Sequence, residues 1–383
     1  MKKLAIIGAG PMASVYAMRA RELGIETHCF AWKQGAVAQE DVDVFQDISI
    51  FDIDAIEEIC RNVGIGGVLP TTELTIHPAA LVASRLGLVA NDPEVAARIT
   101  DKYRNRELTK CVSGLCQPRY ALVRNSSDIE TLNIAYPVVV KPTAEGGKRG
   151  VTVASNPCEL KAAFAYAQDE KKDSSDVIVE EYLEGGAEYS VESLSFRGVH
   201  SIIQVTEKWS SGAPHCVELG HHQPAALSLE MRAKIEDVMA CALTAIGMQH
   251  GCCHTELKII DGKLYLIEFN ARPGGDHISF PLTELSTGYP YITGMIEIAF
   301  GDFQIPDTSQ FDHNYAGICF ITEQTRQLKR IFDNCEQYSW LYEKHQATSK
   351  LERLTHNRGY DTNYFIYYSR DSKPTFLAEI NLD

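Results

Sequence analysis

His254-Thr255-Glu256-Leu257-Lys258-Ile259-Ile260, Asp261-Gly262, and Lys263-Leu264-Tyr265-Leu266-Ile267-Glu268-Phe269-Asn270-Ala271-Arg272-Pro273-Gly274-Gly275-Asp276 form the stretch on which the fold turns. Two apolar runs flank an Asp-Gly pair, a strong short-range hairpin signal. Leu257, Ile259, Tyr265, Ile267 and Phe269 are odd-numbered, whereas Glu256, Lys258, Glu268 and Asn270 are even. A tight two-residue loop pairs residues of opposite parity and would scatter both sets over the two faces. A bulged loop with Gly262 at positive φ pairs like with like, and is the expectation here. One face is then apolar, and the other carries Glu256, Glu268 and Asn270 together. Three oxygen-bearing side chains on one sheet face suit a hard cation such as Mg²⁺, with room for water and phosphate oxygens. The plainer alternative is a hairpin with a solvated outer face. Against it, the acidic face runs on into Arg272 and the glycines 274 and 275, which suit phosphate charge and close backbone approach.

The rest of the chain bounds what this hairpin belongs to. A length of 383 residues implies two or three domains. The formal charge of −15 argues against nucleic acid as a partner, because a phosphate backbone needs a basic footprint. Eleven cysteines show no framework spacing, and no window approaches the ~18 uninterrupted apolar residues of a membrane span. A reduced, cytoplasmic protein without membrane contact is expected.

Leu4-Ala5-Ile6-Ile7, the turn Gly8-Ala9-Gly10 and a helical pattern to about Leu23 open a Rossmann-like domain. A dinucleotide site is disfavoured there: the third fingerprint glycine is missing, and the strand Thr27–Trp32 ends without a ribose-binding acid. A helix around Ile53–Asn62, a strand at Gly67–Pro70, a helix around His77–Leu86 and a short run at Leu88–Ala90 complete an alternating α/β domain ending near residue 92. Asp101–Cys111 reads as helix, Arg119–Val123 as strand, and Tyr136–Pro142 as a strand with Lys141 at its end. Thr143–Gly150 follows, a Gly-rich loop carrying Lys148 and Arg149 that suits an anion. Val177–Leu183 and Glu188–Leu194 read as strands, Trp209–Pro224 as a long lid or binding loop, Leu229–Ile246 and Glu284–Phe300 as helices. Beyond residue 305, short strands are expected at Ala316–Ile321 and Thr362–Tyr368, in a small C-terminal subdomain.

Lys102, Lys141, the Gly-rich loop, Glu180-Glu181-Tyr182-Leu183, Glu188, Glu256, Glu268 and Asn270, in that order, resemble the ATP-grasp superfamily. Its members are ATP-dependent carboxylate–amine or carboxylate–thiol ligases and related carboxylases. The resemblance covers roughly residues 1–305. It implies an α/β protein: a Rossmann-like parallel sheet domain (1–92), an ATP-grasp fold (93–305, with a nucleotide-clasping part at about 115–185), then the segment 306–383. It implies that Lys102 and Lys141 contact the nucleotide phosphates, with Lys148 and Arg149 in the closing loop. Glu180 would meet the adenine amino group, Glu181, Tyr182 and Leu183 would line the adenine slot, and Glu188 would hold the ribose. Glu256, Glu268 and Asn270 would ligate Mg²⁺, with Mn²⁺ as an alternative ion.

His254-Thr255-Glu256, Arg272–Asp276 and the segment Glu218–Pro224 look most like the branch of bacterial L-amino-acid (dipeptide) ligases. That likeness puts His254, Arg272, Asp276 and His222 at small carboxylate and amine substrates. Arg272, Lys141 and the Gly274-Gly275 backbone become the candidate catalytic groups. A carboxylase or purine-type amidoligase shares the ATP site and would bring Glu73 and His77 near the acceptor. A non-catalytic nucleotide-binding module would be expected to have lost a metal ligand, and all three are present. A zinc site at His250, Cys252, Cys253 and His254 is excluded, because four donors so tightly spaced on one strand cannot all face one ion. A homodimer is compatible with the composition.

Overall fold

The computed structural model describes residues 1–146, 149–171, 175–212, 216–370 and 372–379. Near the N-terminus, β1 (Lys3–Ile7), β2 (Glu26–Ala31), β3 (Val44–Asp47) and β4 (Gly67–Pro70) form a parallel sheet in the order β3-β2-β1-β4. β1, β2 and β4 are largely buried and the edge strand β3 is partly exposed, with crossovers through α1 (Pro11–Glu22) and α2 (Ile53–Val63). The β1-to-α1 turn needs its glycine twice over. Gly8 has φ 97°, and a Cβ there would lie 2.3 Å from Thr71 Oγ1. After β4, α3 (Glu73–Leu86) begins four residues before the expected His77, because Thr72 and Thr75 close a capping box. That start puts Glu73 at the sheet's C-terminal edge.

α4 (Pro93–Ile99) and α5 (Lys102–Thr109) lead into β5 (Leu115–Cys116). A small antiparallel sheet follows, from β6 (Tyr120–Val123), β7 (Val138–Pro142), β8 (Thr152–Ala154) and β9 (Val177–Glu181), ordered β6-β9-β7-β8. Its core of Val138, Val140, Val177 and Val179 packs on Leu160, Phe164 and Ala167 of the helix Pro157–Glu170. The largest sheet has nine strands. It takes in β10 (Ala187–Phe196), β11 (Val199–Ser210), β12 (Glu218–Gln223), β13 (Gly251–Ile260), β14 (Lys263–Asn270), β15 (Tyr315–Ile321), β16 (Leu341–His345) and β17 (Asn363–Ser369), in the order β16-β17-β15-β12-β11-β10-β13-β14-β5. The helix Leu229–Ile246 covers one face, burying Ile235, Met239 and Leu243 against Val191, Val205, Leu257 and Phe269. Among the described residues no helix is long and apolar enough to cross a membrane.

The organising hairpin forms by a different device from the one its parity suggested. Asp261 (φ 49°) and Gly262 (φ 71°) make a tight two-residue turn that pairs Ile260 with Lys263. Both central residues sit at positive φ, as a type I′ turn requires. The extra residue lies further along: the register shifts at Ile267, so Leu257 faces Leu266 but Glu256 faces Glu268. A bulge inside the strand restores like-with-like pairing where the acidic side chains stand.

Two further expectations change. Glu218–Gln223 is not part of a loop but a buried strand between β11 and β15. Its partner β15 lies far downstream, and Glu-Leu-Gly-His-His-Gln has no apolar alternation to announce a strand. The helix expected over Glu284–Phe300 is two helices, Thr283–Thr287 and Tyr291–Phe300, interrupted at Gly288-Tyr289-Pro290. The strands β15 and β17 form near the expected positions. They continue the nine-stranded sheet across residue 305.

Candidate active site

The face opposite the Leu229–Ile246 helix carries a polar strip. Pairing sets Glu256 against Glu268, His254 against Asn270, Glu192 against His254, Glu188 against Lys208, and Lys208 against His221. Directly opposed residues share a face with Cβ atoms about 5 Å apart. Asn270 Nδ2 donates to Glu268 Oε1 at 3.1 Å, and Lys102 Nζ from α5 stands 3.1 Å from Oε2. Lys208 Nζ lies 2.8 Å from Glu256 Oε1 and 3.3 Å from Glu218 Oε1. Burial pushes the Glu256 carboxyl up, but Lys208 and His254 outweigh it and hold it well below the carboxylate range. Burial and then Lys102 act on Glu268 in the same opposed senses, and it too is lowered. Two ionised carboxylates and an amide on one face form an all-oxygen donor set that fits Mg²⁺.

Beside this strip is a cationic layer that the sequence only partly announced. Lys141 Nζ, at the end of β7, is 2.6 Å from Glu180 Oε2, and Arg106 Nε donates to Glu180 Oε1 at 2.7 Å. Arg106 also donates to the carbonyls of Leu266 (2.8 Å) and Ile267 (3.0 Å). Those carbonyls flank the bulge in β14, so one buried guanidinium satisfies the ladder's defect and anchors Glu180. Burial raises the Glu180 carboxyl, while Arg106 and Lys141 bring it down to about 2. The side chain expected at an adenine amino group is thus committed to two cations.

Downstream, the Tyr182 amide donates to Pro137 O at 3.1 Å, and Glu181 accepts from the Arg119 amide at 3.1 Å. Leu183 O accepts from Lys258 Nζ at 2.7 Å, and the same ammonium lies 3.9 Å from Glu188 Oε1 and 5.9 Å from the Tyr182 ring centre. Arg106 and Lys258 were both missed in the sequence. Lys258 was legible as an even-numbered residue on the acidic face, whereas nothing local marks Arg106. Lys102 Nζ also donates to Glu145 O at 2.8 Å, and exposed Arg149 reaches Glu145 at 3.4 Å. Lys148 lies outside the described residues. Gly146 approaches Glu73 so closely that a Cβ would be 3.0 Å from its Cδ.

Glu73, at the first turn of α3, forms an ion pair with Arg272, whose other terminal nitrogen donates to Pro273 O at 2.7 Å. The N-terminal sheet, the Gly-rich loop and the organising hairpin therefore meet at this pair. Gly274 departs from expectation. Its amide donates to Ser279 Oγ at 2.7 Å, so it is not directed at a reacting oxygen. Ser279 Oγ in turn donates to Glu192 Oε2 (2.9 Å), and His254 Nδ1 is 2.5 Å from Glu192 Oε1. Burial lowers the His254 pKa, yet Glu192 outweighs it and raises it to about 9. Gly275 has open space where a side chain would be.

His222 is a second correction. It lies on the opposite face of β12, where Nδ1 meets the Tyr367 hydroxyl at 2.8 Å and the ring packs on Trp209. Strand alternation makes its neighbour His221 the one that faces the strip, 4.0 Å from Asp276 Oδ2. With Glu218–Gln223 a strand, the reading of 209–224 as one lid loop also falls.

Residues 134–280 match the ATP-grasp domain family. The formate-dependent phosphoribosylglycinamide formyltransferase of Synechococcus elongatus is 25% identical over 311 residues, spanning 78% of this chain and 72% of that protein. A D-alanine–D-alanine ligase of Neisseria meningitidis serogroup B is 30% identical over 206 residues, spanning 52% of this chain and 66% of that one. Among solved structures, the L-amino acid ligase of Bacillus licheniformis superposes with a TM-score of 0.81 at 20% identity, covering 99% of this chain and 96% of that one. The biotin carboxylase domain of Hydrogenobacter thermophilus 2-oxoglutarate carboxylase gives 0.75 at 20% identity, covering 96% and 86%. These likenesses fix the fold as ATP-grasp.

Proposed function

We propose, for a chain that is an ATP-grasp enzyme of the carboxylate–amine ligase type, that it activates an amino-acid carboxylate as an acyl phosphate and joins it to the amine of a second amino acid. The observation that carries this reading is the convergence of Glu256, Glu268 and Asn270 with Lys102 and Arg272 around one sheet face. Glu256, Glu268 and Asn270 hold the metal, Mg²⁺ or alternatively Mn²⁺. Bound there, the ion neutralises charge on the triphosphate and on the transferring phosphoryl group.

Lys102 and Lys141 bind phosphate oxygens, with Lys148 and Arg149 closing over them. Glu180 acts as a positioning residue: tied to Arg106, it presents Lys141 at the end of β7. The backbone of Glu181, Tyr182 and Leu183, with Lys258, lines the adenine slot, and Glu188 takes the ribose. Arg272, oriented by Glu73, neutralises the phosphoryl oxygens and then the tetrahedral intermediate formed when the amine attacks. The Gly275 amide is the remaining backbone donor for that oxygen. His254 and Asp276 face the substrates. In the same reading residues 1–92, 93–305 and 306–383 are successive segments, the last adding β15, β16 and β17 to the sheet of the second, and the enzyme works in the cytoplasm.

The chemistry is tested with ¹⁸O-labelled carboxylate substrate across an array of amino-acid pairs. An acyl phosphate carries one labelled oxygen into released phosphate. Label in AMP, or ATP consumption that needs bicarbonate and no amine, would overturn the reading. Arg272→Ala is expected to lose more ligation than the ~1–3 kcal/mol of one charge-assisted hydrogen bond, because the same side chain serves two steps. Ligation rates within that range would limit Arg272 to one of them.

A further inference from the structure

His221 differs from the other buried side chains of the polar strip. Its side chain is 1% exposed, and neither Nδ1 nor Nε2 has a hydrogen-bond partner among the described residues. A buried polar group without a partner has lost its water with nothing in exchange, so such a group on a site face calls for a ligand. Asp276 Oδ2 stands 4.0 Å from Nε2, too far for a direct hydrogen bond. The gap suits an inserted atom instead: a nitrogen can lie at hydrogen-bond distance from both atoms at once.

The surroundings specify which nitrogen. Asp276 and His277 are consecutive non-glycine residues at φ 48° and 66°, a strained conformation that persists only where the surrounding structure imposes it. The wall beside them is aromatic. The Phe320 ring meets His221 edge-on at 6.1 Å and Tyr364 at 6.2 Å, and His277 lies 4.7 Å from Tyr364. Burial keeps His221 neutral, at about 3, so one ring nitrogen is an acceptor. A carboxylate, a neutral imidazole and aromatic faces all attract a cationic N–H donor and disfavour an anion. The protein's own nearby ammonium, Lys208, is engaged with Glu218 and Glu256.

We propose that His221 and Asp276 form the subsite for the ammonium group of an amino-acid substrate, His221 accepting one N–H while Asp276 pairs with the charge. This rests on the ligase reading for the class of substrate and extends it to a residue on β12 outside the phosphate and metal groups.

The test uses the full chain, labelled with ¹⁵N in its histidine rings and loaded with Mg²⁺ and a non-hydrolysable ATP analogue. L-amino acids are titrated alongside their desamino counterparts, which keep the side chain and carboxylate but lack the ammonium. His221→Gln identifies the His221 resonances. At least one amino acid is expected to shift both His221 nitrogens while its desamino counterpart does not. In ligation, His221→Gln should raise the KM for that amino acid about ten-fold or more, with kcat nearly unchanged. His221 resonances unmoved by the whole panel, or moved equally by desamino acids, would overturn the proposal. The resonance readout needs no turnover. Ammonium-dependent shifts without ADP release would therefore remove the ligase reading and keep the subsite, whereas ligation with His221 silent would do the reverse.

Discussion

Replacing Arg106 by Met should be one of the most damaging single changes outside the reacting groups. The side chain is fully buried and makes three hydrogen bonds, to Glu180 Oε1 and to the carbonyls of Leu266 and Ile267. Met fills much of the volume but satisfies none of the three acceptors. Breaking a buried ion pair by removing one partner costs about 3–5 kcal/mol. A second route gives a similar figure. Holding Glu180 at about 2 rather than its ordinary 4.5 is worth about 3 kcal/mol, part of it from Lys141.

The pH dependence has a definite sign. A depressed carboxylate pKa stabilises the folded state above the unfolded value and loses that contribution as pH falls through the folded one. The gap between wild type and Arg106→Met should thus be widest near neutrality and narrow as pH drops from about 4.5 toward 2. Urea denaturation at a series of pH values measures this. A loss under about 1 kcal/mol at pH 7, or a gap unchanged on acidification, would refute the claim that Arg106 secures both the bulge and Glu180.

Glu268→Gln should leave the fold intact and abolish Mg²⁺-dependent ATP turnover, since it removes one of two charges facing the cation; near-normal ADP release would dismiss the metal site. Gly274→Ala puts a Cβ 2.6 Å from His254 Nδ1 and 3.1 Å from Glu192 Oε1, so the Ser279–Glu192–His254 chain must shift. About a hundred-fold loss in kcat/KM is expected, with circular dichroism unchanged, and wild-type kinetics would show that this chain positions nothing. Lys208→Met leaves Glu218 and Glu256 without their ammonium and should destabilise by about 3–5 kcal/mol. Added Mg²⁺ should then raise the thermal midpoint of the variant more than that of wild type; equal increments would place the ion elsewhere.

Much of the architecture was legible because it is local. Leu4–Ile7, Gly67–Pro70 and Leu229–Ile246 declare themselves through apolar runs, turn residues and a helical period, and each forms near its expected place. The acidic face was legible for the same reason: period two in a strand sets Glu256, Glu268 and Asn270 on one side once the register is right. The register itself was not legible in detail. Asp-Gly carries the preference for a tight turn, while the bulge at Ile267 depends on Arg106 arriving from α5 to satisfy the carbonyls it frees.

What tertiary structure alone decided are the partners brought together from distant parts of the chain. Glu73 meets Arg272, and Lys208 meets both Glu218 and Glu256, because strand order is set by packing that no local pattern encodes. Glu218–Gln223 shows the limit most clearly. Its composition reads as loop, and it is a strand only because β11 and β15 bracket it. That pairing also chose between two adjacent histidines. In an extended strand neighbouring side chains point to opposite faces, so His221 came to the polar strip and His222 to the aromatic core.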